Sequence, residues 1–398
     1  MIYNRDRKER SVRMKILHTA DWHLGKIVHG VHMTEDQRYI LEQLIEIVKE
    51  EKPDAVMIAG DLYDKSISPT DAIELLNDIL KTIVIDLKTP VLAIAGNHDS
   101  AERIEFGSSF MQKEGLHIIG KFQCPFKKVV LEDEFGEVHF YLIPYAEPSI
   151  VRYVMKNDDI LTHDDAMKAI INHIRDHEMD KSARNIFIGH AFVTNNGKPS
   201  DEETEGERTL SIGGAEYVSH HYFQHFDYTA LGHLHRAHFV GNKSIRYAGS
   251  PLKYSLSEEH HKKGCFIIEL DENGVKSIQK REFSPLRDLR TVEGSLEEIR
   301  KHSKNDDYVF VKLTDQHVVL HPMEQIRTVY PNAMHVSRKR EQSTSLDKAE
   351  RLQLVEKEKK NHIELFQAFY KEMTNTELSD ENNEFMKNLL NEIFVKGE

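Results

Sequence analysis

Cysteine is nearly absent. Only Cys124 and Cys265 occur in 398 residues, far apart and outside any metal-ligand spacing. That excludes a disulfide framework and fits a reducing, cytoplasmic setting. Long apolar runs are missing as well. Stretches such as Ala55–Ala59 and Ile83–Ile85 are far too short to cross a bilayer, so no membrane association is expected. No secretory signal is legible. Met1–Arg13 is basic and polar with no apolar stretch behind it, and reads as a disordered extension or an upstream start before Met14. Nor is there a surplus of positive charge. Lys and Arg number 53 against 66 Asp and Glu, a net charge of −13, which argues against a protein that coats nucleic acid by itself. Bound divalent cations would offset part of that charge, and a partner could supply a basic groove. A Gly-x-x-x-x-Gly-Lys-Ser/Thr phosphate loop is absent too, so any dependence on ATP must come from another chain.

What is present is an alternation of short apolar strands and amphipathic helices. Lys15–Ala20 reads as a buried strand, Thr34 as the cap of a helix carrying Ile40, Leu41, Leu44, Ile45 and Val48, and Ala55–Ala59 as the next strand. Pro69 and Thr70 open a second helix, and Pro90–Ala95 forms a third strand. Further on, Val129–Leu131 and Glu137–Ile143 predict a hairpin, and Asp164–His177 a helix. Ile186–Gly189, Thr229–Gly232, Ser244–Ala248, Cys265–Leu270 and Val275–Glu282 predict strands, the last two joined by the Asp271-Glu272-Asn273-Gly274 turn. This pattern predicts an α/β protein in which a second sheet packs on the first. Past Pro285 a smaller α/β unit is expected from Leu296–Arg300, Tyr308–Leu313, Met323–Val329 and Ala333–Ser337. A polar linker, Arg338–Ser345, then leads to charged helices, Leu346–Met373 and one after Ser379. The last carries Phe385, Met386, Leu389, Leu390, Ile393 and Phe394 as an apolar stripe. The expected organisation is an extension (1–13), a large domain (14–285), a small cap (286–338), and a linker with terminal helices (339–398).

Five polar clusters follow apolar runs: Asp21-Trp22-His23, Gly60-Asp61-Leu62-Tyr63-Asp64, Gly96-Asn97-His98-Asp99, Gly189-His190, and Gly232-His233-Leu234-His235. In open α/β sheets ligands bind at the carboxyl ends of strands, where these clusters fall. Taken singly, each is weak. An Asp after a strand is usually a turn former or helix cap, and a lone histidine is usually structural. The structural reading holds for His18, His117 and His139, and a surface reading for His220, His221, His225, His260 and His261. Together, in order and all at strand ends, the clusters offer hard oxygens and imidazoles in the mix that suits two first-row divalent cations. Alternate residues of extended backbone share a face, so Asp21 with His23, and His233 with His235, can each serve one pocket. The glycines are expected to let the backbone turn sharply.

The five clusters together resemble the calcineurin-like metallophosphoesterase signature, over Asp21–His235. The resemblance implies a two-sheet sandwich flanked by helices and a two-metal phosphoesterase. It implies one cation on Asp21, His23, Asp61 and His235, and the other on Asp61, Asn97, His190 and His233, with Asp61 bridging. It further implies that His98 faces the scissile phosphate and that the Asp64 carboxylate orients His98. Within that superfamily, Leu17-His18-Thr19-Ala20-Asp21-Trp22-His23-Leu24-Gly25, Gly232-His233-Leu234-His235-Arg236-Ala237 and Tyr247-Ala248-Gly249-Ser250-Pro251 resemble the SbcD branch, as does the cap followed by amphipathic helices. That resemblance implies a manganese-dependent DNA nuclease acting on double-stranded ends and hairpins, as a 3′–5′ exonuclease and an endonuclease. It also implies a role in DNA repair, recombination and replication, and ATP gating through an SbcC-type coiled-coil ATPase docked on the terminal helices. A homodimer built from Ile73–Val84 and Ile104–Met111 is implied as well. Lys65, Arg103, Arg236 and Lys253 are candidate phosphate contacts from their proximity to the clusters. Two rival readings stand beside this one: a phosphodiesterase for cyclic nucleotides or other small substrates, and a non-enzymatic subunit that positions an ATPase on DNA.

Overall fold

The computed structural model describes residues 13–195, 217–315, 317, 319–338, 363, 366–367, 370–371 and 376–395. Residues 1–12 of the expected extension and most of the expected helix Leu346–Met373 lie outside the described residues. Strands and helices are numbered in chain order as introduced. Four strands open the fold: β1 (Lys15–Thr19), β2 (Ala55–Ile58), β3 (Val91–Ile94) and β4 (Leu116–Ile119), all parallel. Six more build a second sheet: β5 (Lys127–Asp133), β6 (Gly136–Ile143), β7 (Arg184–His190), β8 (Tyr228–Gly232), β9 (His238–Val240) and β10 (Asn242–Tyr247). The chain then returns to the first sheet through β11 (Gly264–Asp271) and β12 (Gly274–Glu282), giving the orders β12-β11-β1-β2-β3-β4 and β9-β10-β8-β7-β6-β5.

Alternation within apolar strands produces this layering. Neighbouring residues on a strand point to opposite faces, so a run such as Ala55–Ile58 feeds two cores at once. Ile16, Met57, Leu92, Phe140, Ile186 and Ala230 fill the space between the sheets. Their neighbours Leu17, Val56 and Ala93 face α1 (Thr34–Glu51) and α2 (Thr70–Lys81). On the other side, Tyr141, Phe187 and Leu231 pack against α3 (Pro148–Met155) and α4 (His163–His173). Each fully buried large aliphatic or aromatic side chain contributes roughly 1.5–3 kcal/mol. The sequence analysis did not predict α3, although it opens on Pro148 and carries Ile150, Val151, Val154 and Met155 within eight residues; only Val151 is buried.

Some local expectations change. Thr34 is the first residue of α1 rather than its cap; Met33 holds the cap position, and the Thr34 hydroxyl donates to Asp71 instead (2.8 Å). The expected helix Ile104–Met111 is two short turns, Ala101–Ile104 and Ser108–Met111, broken at Gly107 with its φ of 76°. His220, expected at the surface, is buried.

His18 shows how the inter-sheet layer tolerates a polar group. It is fully buried and shares a 3.0 Å hydrogen bond with the Tyr228 hydroxyl. Burial, with Arg246 nearby, lowers its pKa to about 3. The folded protein therefore holds His18 neutral, while the unfolded chain binds a proton near pH 6.5. His18 contributes full stability above that pH and loses it as pH falls toward 3, about 2 kcal/mol of the loss by pH 5. We expect His18→Phe to flatten the fall in melting temperature between pH 6.5 and 5; identical slopes would refute this origin.

A third, parallel sheet follows: β13 (Leu289–Gly294), β14 (Tyr308–Leu313) and β15 (His335–Arg338), with its own small core around Val292, Ile299, Val309, Val311 and Ile326. Leu289, Tyr308 and Phe310 join the α1–α2 core. Arg287 bonds Asp36 and Glu35 on α1 at 2.7 Å each, and the Tyr308 hydroxyl also donates to Asp36 (2.7 Å). Residues up to Arg338 make one compact unit and Lys339–Glu398 another. In the latter, Asp380–Val395 is helical, with Phe385 and Leu389 exposed one turn apart. No helix among the described residues is long and apolar enough to cross a membrane.

Candidate metal centre

All five polar clusters meet at one edge of the two sheets. β1, β2 and β3 of the first sheet and β7 and β8 of the second run into Asp21, Asp61, Asn97, His190 and His233. The backbone is strained where they do so. Asp21 (φ 54°), His23 (46°), Asp61 (52°) and His233 (109°) all occupy the left-handed region that side chains avoid. Such conformations cost of order 1–3 kcal/mol each and persist where the surroundings impose them. Gly96 and Gly232 serve by lacking a side chain, since neither has a positive φ. A Cβ on Gly96 would lie 2.1 Å from Asp61 Oδ1, and one on Gly232 1.8 Å from the Ala59 carbonyl oxygen.

The ligand-type atoms converge. His23 Nε2 and His235 Nε2 are 3.0 Å apart, and His23 Nε2 lies 3.6 Å from Asp61 Oδ2. On the other side of Asp61, His190 Nε2 is 3.4 Å from the same Oδ2 and 2.9 Å from Asn97 Oδ1. His233 Nδ1 reaches that amide oxygen at 3.1 Å. Asp21, Asp61 and His190 can place one ligand atom each within 4.8 Å of one another. Asp61 thus stands between a His23/His235 side and an Asn97/His190/His233 side.

Hydrogen bonding behind the rings decides what they present to the centre. His190 Nδ1–H donates to the Ala59 carbonyl (2.9 Å), and His235 Nδ1–H to Glu258 Oε1 (3.1 Å). Each ring therefore turns an Nε2 lone pair inward. Those lone pairs face other acceptors, and the buried Asp21 Oδ2 and Asp61 Oδ2 have no hydrogen-bond partner among the described residues. Lone pairs pointing at lone pairs in a buried space is the arrangement a cation resolves, so the donor set fits divalent metal. Protons compete with a cation for these same atoms. Burial, with Asp61 nearby, pushes the Asp21 carboxyl up to about 7. Burial also acts on Asp61, but His190, His23 and His98 outweigh it and hold that carboxyl well below the usual range. Burial lowers His190, but Asp61 and Asp21 outweigh it and raise the ring to about 9, so a proton competes with a cation for its Nε2.

His98 stands at the rim, half-buried. Its backbone N–H donates to Asp61 Oδ1 (2.9 Å) and its Nδ1–H to the main-chain carbonyl of Asp64 (2.8 Å). The His98 ring bonds that carbonyl, not the carboxylate expected from sequence. The Asp64 carboxylate instead pairs with Lys26 (2.7 Å) and lies 3.6 Å from His23 Nδ1. Of the four expected phosphate contacts, Lys65 and Arg103 are exposed, Arg236 is half-buried, and Lys253 is paired with Asp288 (2.8 Å) at the third sheet.

Several supporting residues escaped the sequence reading. Gln37 on α1 donates to the carbonyls of Trp22 and His23 and accepts from Gly25, clamping the first cluster from below. The Asp99 carboxylate accepts from the backbone N–H groups of Leu62, Tyr63 and Gly96, lacing the second cluster to the third. Asp99 belongs to one of the five clusters by sequence; Gln37 left no local signal.

Comparison with known proteins agrees with this geometry. A calcineurin-like phosphoesterase family model matches residues 14–237, and a model described as a type 5 capsule protein repressor C-terminal domain matches residues 285–374. The D subunit of the SbcCD nuclease of Staphylococcus epidermidis is 36% identical over 381 residues, covering 95% of this chain and 98% of that protein. The chain belongs to the SbcD nuclease family. As a member of that family it is a metal-dependent phosphodiesterase with a calcineurin-like fold that uses divalent metal ions. Two solved structures, a protein of Thermus thermophilus at 14% identity and a dimetal phosphatase from Danio rerio at 11%, each align over 68% of this chain and 99% of their own, with TM-scores of 0.37 and 0.38.

Proposed function

We propose that this SbcD-family chain cleaves DNA at double-stranded ends and hairpins, using two cations, manganese by preference, held by Asp21, His23, Asp61 and His235 on one side and Asp61, Asn97, His190 and His233 on the other. The observation that carries the reading is the inward convergence of lone pairs around Asp61, with His23 Nε2 and His235 Nε2 only 3.0 Å apart. Bound there, two divalent cations supply Lewis-acid neutralisation of the phosphate and activation of water. The chain's own work is placement. Asp61 spans both sides of the centre, and the Asp64 carbonyl fixes the His98 ring so that its Nε2 is left for the phosphate or the leaving oxygen.

Self-association and a partner complete the proposal. Ile67, Ile73, Phe106 and Phe110 are exposed beside an apolar cavity of about 470 Å³ lined by Leu76, Leu80, Val84, Ile104 and Met111. An exposed apolar surface of this kind supports a homodimer built there. The exposed Phe385 and Leu389 on Asp380–Val395, and the mention of SbcCD in the relative's name, support docking of an SbcC-type ATPase on the terminal helices in the cytoplasm. Such a partner would bring the ATP dependence, and the basic surface, that a net charge of −13 withholds.

The test is manganese-dependent cleavage of a hairpin-ended duplex by the purified chain, alone and with its SbcC-type partner plus ATP. We expect cleavage to need the metal, to become ATP-dependent on blocked ends with the partner, and to fall about 10²-fold in His98→Ala with metal uptake retained. A chain that hydrolyses small phosphodiesters but no DNA under any condition would return the reading to a small-substrate phosphodiesterase.

A further inference from the structure

Behind His235 lies a buried ion pair, Glu258 and Lys263, that belongs to no sequence motif. Glu258, at the end of the 3₁₀ turn Leu256–Glu258, is completely buried. Its Oε1 accepts from His235 Nδ1 (3.1 Å) and from the Ser255 hydroxyl (3.2 Å). Its Oε2 accepts from Lys263 Nζ and lies 3.4 Å from the Ser250 hydroxyl. Lys263 is buried too, and the same ammonium donates to the main-chain carbonyl of His235 (2.9 Å) and to Ser250 Oγ (2.8 Å). His235 is therefore gripped twice by one ion pair, through its ring by Glu258 and through its backbone by Lys263.

The rings around Asp61 are not backed alike. On the first side His235 is hydrogen-bonded to a carboxylate–lysine pair, while the Asp64 carboxylate, paired with Lys26, stays 3.6 Å from His23 Nδ1, beyond hydrogen-bond reach. His190, on the second side, is backed by the neutral carbonyl of Ala59. A carboxylate behind an imidazole fixes the tautomer and makes the inward nitrogen a stronger ligand than a carbonyl does. Building a buried lysine and glutamate into a site costs desolvation, which fully hydrogen-bonded geometry offsets.

We propose that Glu258 and Lys263 act together as a positioning pair for His235, which makes the metal position on the His23/His235 side the tighter of the two. Neither residue touches substrate. Both act through His235, and the inference rests on the two-metal reading above.

Manganese binding to the full-length protein, followed by isothermal titration calorimetry, tests the idea without any activity assay. The wild type is expected to show two binding events of unequal affinity. Glu258→Gln should weaken the tighter event by roughly 10- to 100-fold and leave the weaker one within about twofold. Glu258→Asp, which keeps the charge, should recover part of the loss. Glu258→Gln leaves Lys263 facing an amide, so the double variant Glu258→Gln/Lys263→Met is measured alongside; it keeps the volume, buries no unpaired charge and should show the same selective weakening. Unchanged tight binding in either folded variant overturns the proposal, as does equal weakening of both events. A wild type that binds no manganese overturns the metal-centre reading instead, so the two failures are distinguishable.

Discussion

Asp61→Asn is expected to lower metal-dependent phosphodiester hydrolysis by roughly 10⁴-fold or more while the protein stays folded. Asp61 is placed between both groups of ligand atoms: Oδ2 lies 3.6 Å from His23 Nε2 and 3.4 Å from His190 Nε2. Replacing it with an amide removes the negative charge that would hold two cations side by side. The loss corresponds to several kcal/mol of transition-state charge stabilisation, for which no neighbouring group can substitute. The amide keeps the volume and an oxygen for the His98 N–H, which now donates to Asp61 Oδ1 at 2.9 Å. Folding should survive, because a buried charge is removed rather than created. The check is turnover of a phosphodiester with manganese, beside circular dichroism and a metal count. Turnover within tenfold of the wild type would mean that Asp61 does not bridge the centre.

Arg184→Met should give the largest loss of stability, about 3–5 kcal/mol, while leaving the metal centre intact. Arg184 opens β7 at the edge of the sheets opposite the site. Its guanidinium forks onto Asp133, with Nη2 to Oδ1 at 2.6 Å and Nη1 to Oδ2 at 2.9 Å, and Nη2 also donates to the Gly136 carbonyl (2.8 Å). Asp133 in turn accepts from the backbone N–H of Met14, where the first sheet begins (2.7 Å). Both side chains are buried, and through the Met14 N–H the pair ties the second sheet to the start of the first in a region with little water to screen it. Loss of the guanidinium strands a buried carboxylate. Adding Asp133→Asn should therefore recover much of the stability, since a neutral pair leaves no stranded charge. Urea and thermal unfolding of the single and double variants measure both effects. A single variant that melts with the wild type would show that water reaches Asp133 in the folded state.

Most of the strands and the ligand types were legible because both are local; Leu116–Ile119 and His238–Val240 were not. An apolar run of four to six residues ending in Gly-Asp, Gly-Asn-His or Gly-His announces a strand and what stands at its tip, and each parallel strand here delivers its tip to the same edge. The Asp271–Gly274 turn and the α1 and α2 helices were legible for the same reason. The Asp64 carboxylate shows the limit of such reading. Its position three residues after Asp61 suggested one partner, His98, but the loop turns the carbonyl to that ring and the carboxylate to Lys26 and His23.

By itself, then, the sequence determined the α/β class, the strand-end clusters and the chemistry they can offer, since periodicity and motif spacing are properties of neighbouring residues. The tertiary structure alone decided which nitrogen each histidine turns inward and what holds it there. Glu258 meets His235 across 23 residues, Tyr254 donates to the Trp22 carbonyl across 232, and Arg184 meets Asp133 across 51. Partners so far apart in the chain leave no pattern in it. They are brought together only when the sheets form and pack, and burial then makes each of those hydrogen bonds strong enough to matter.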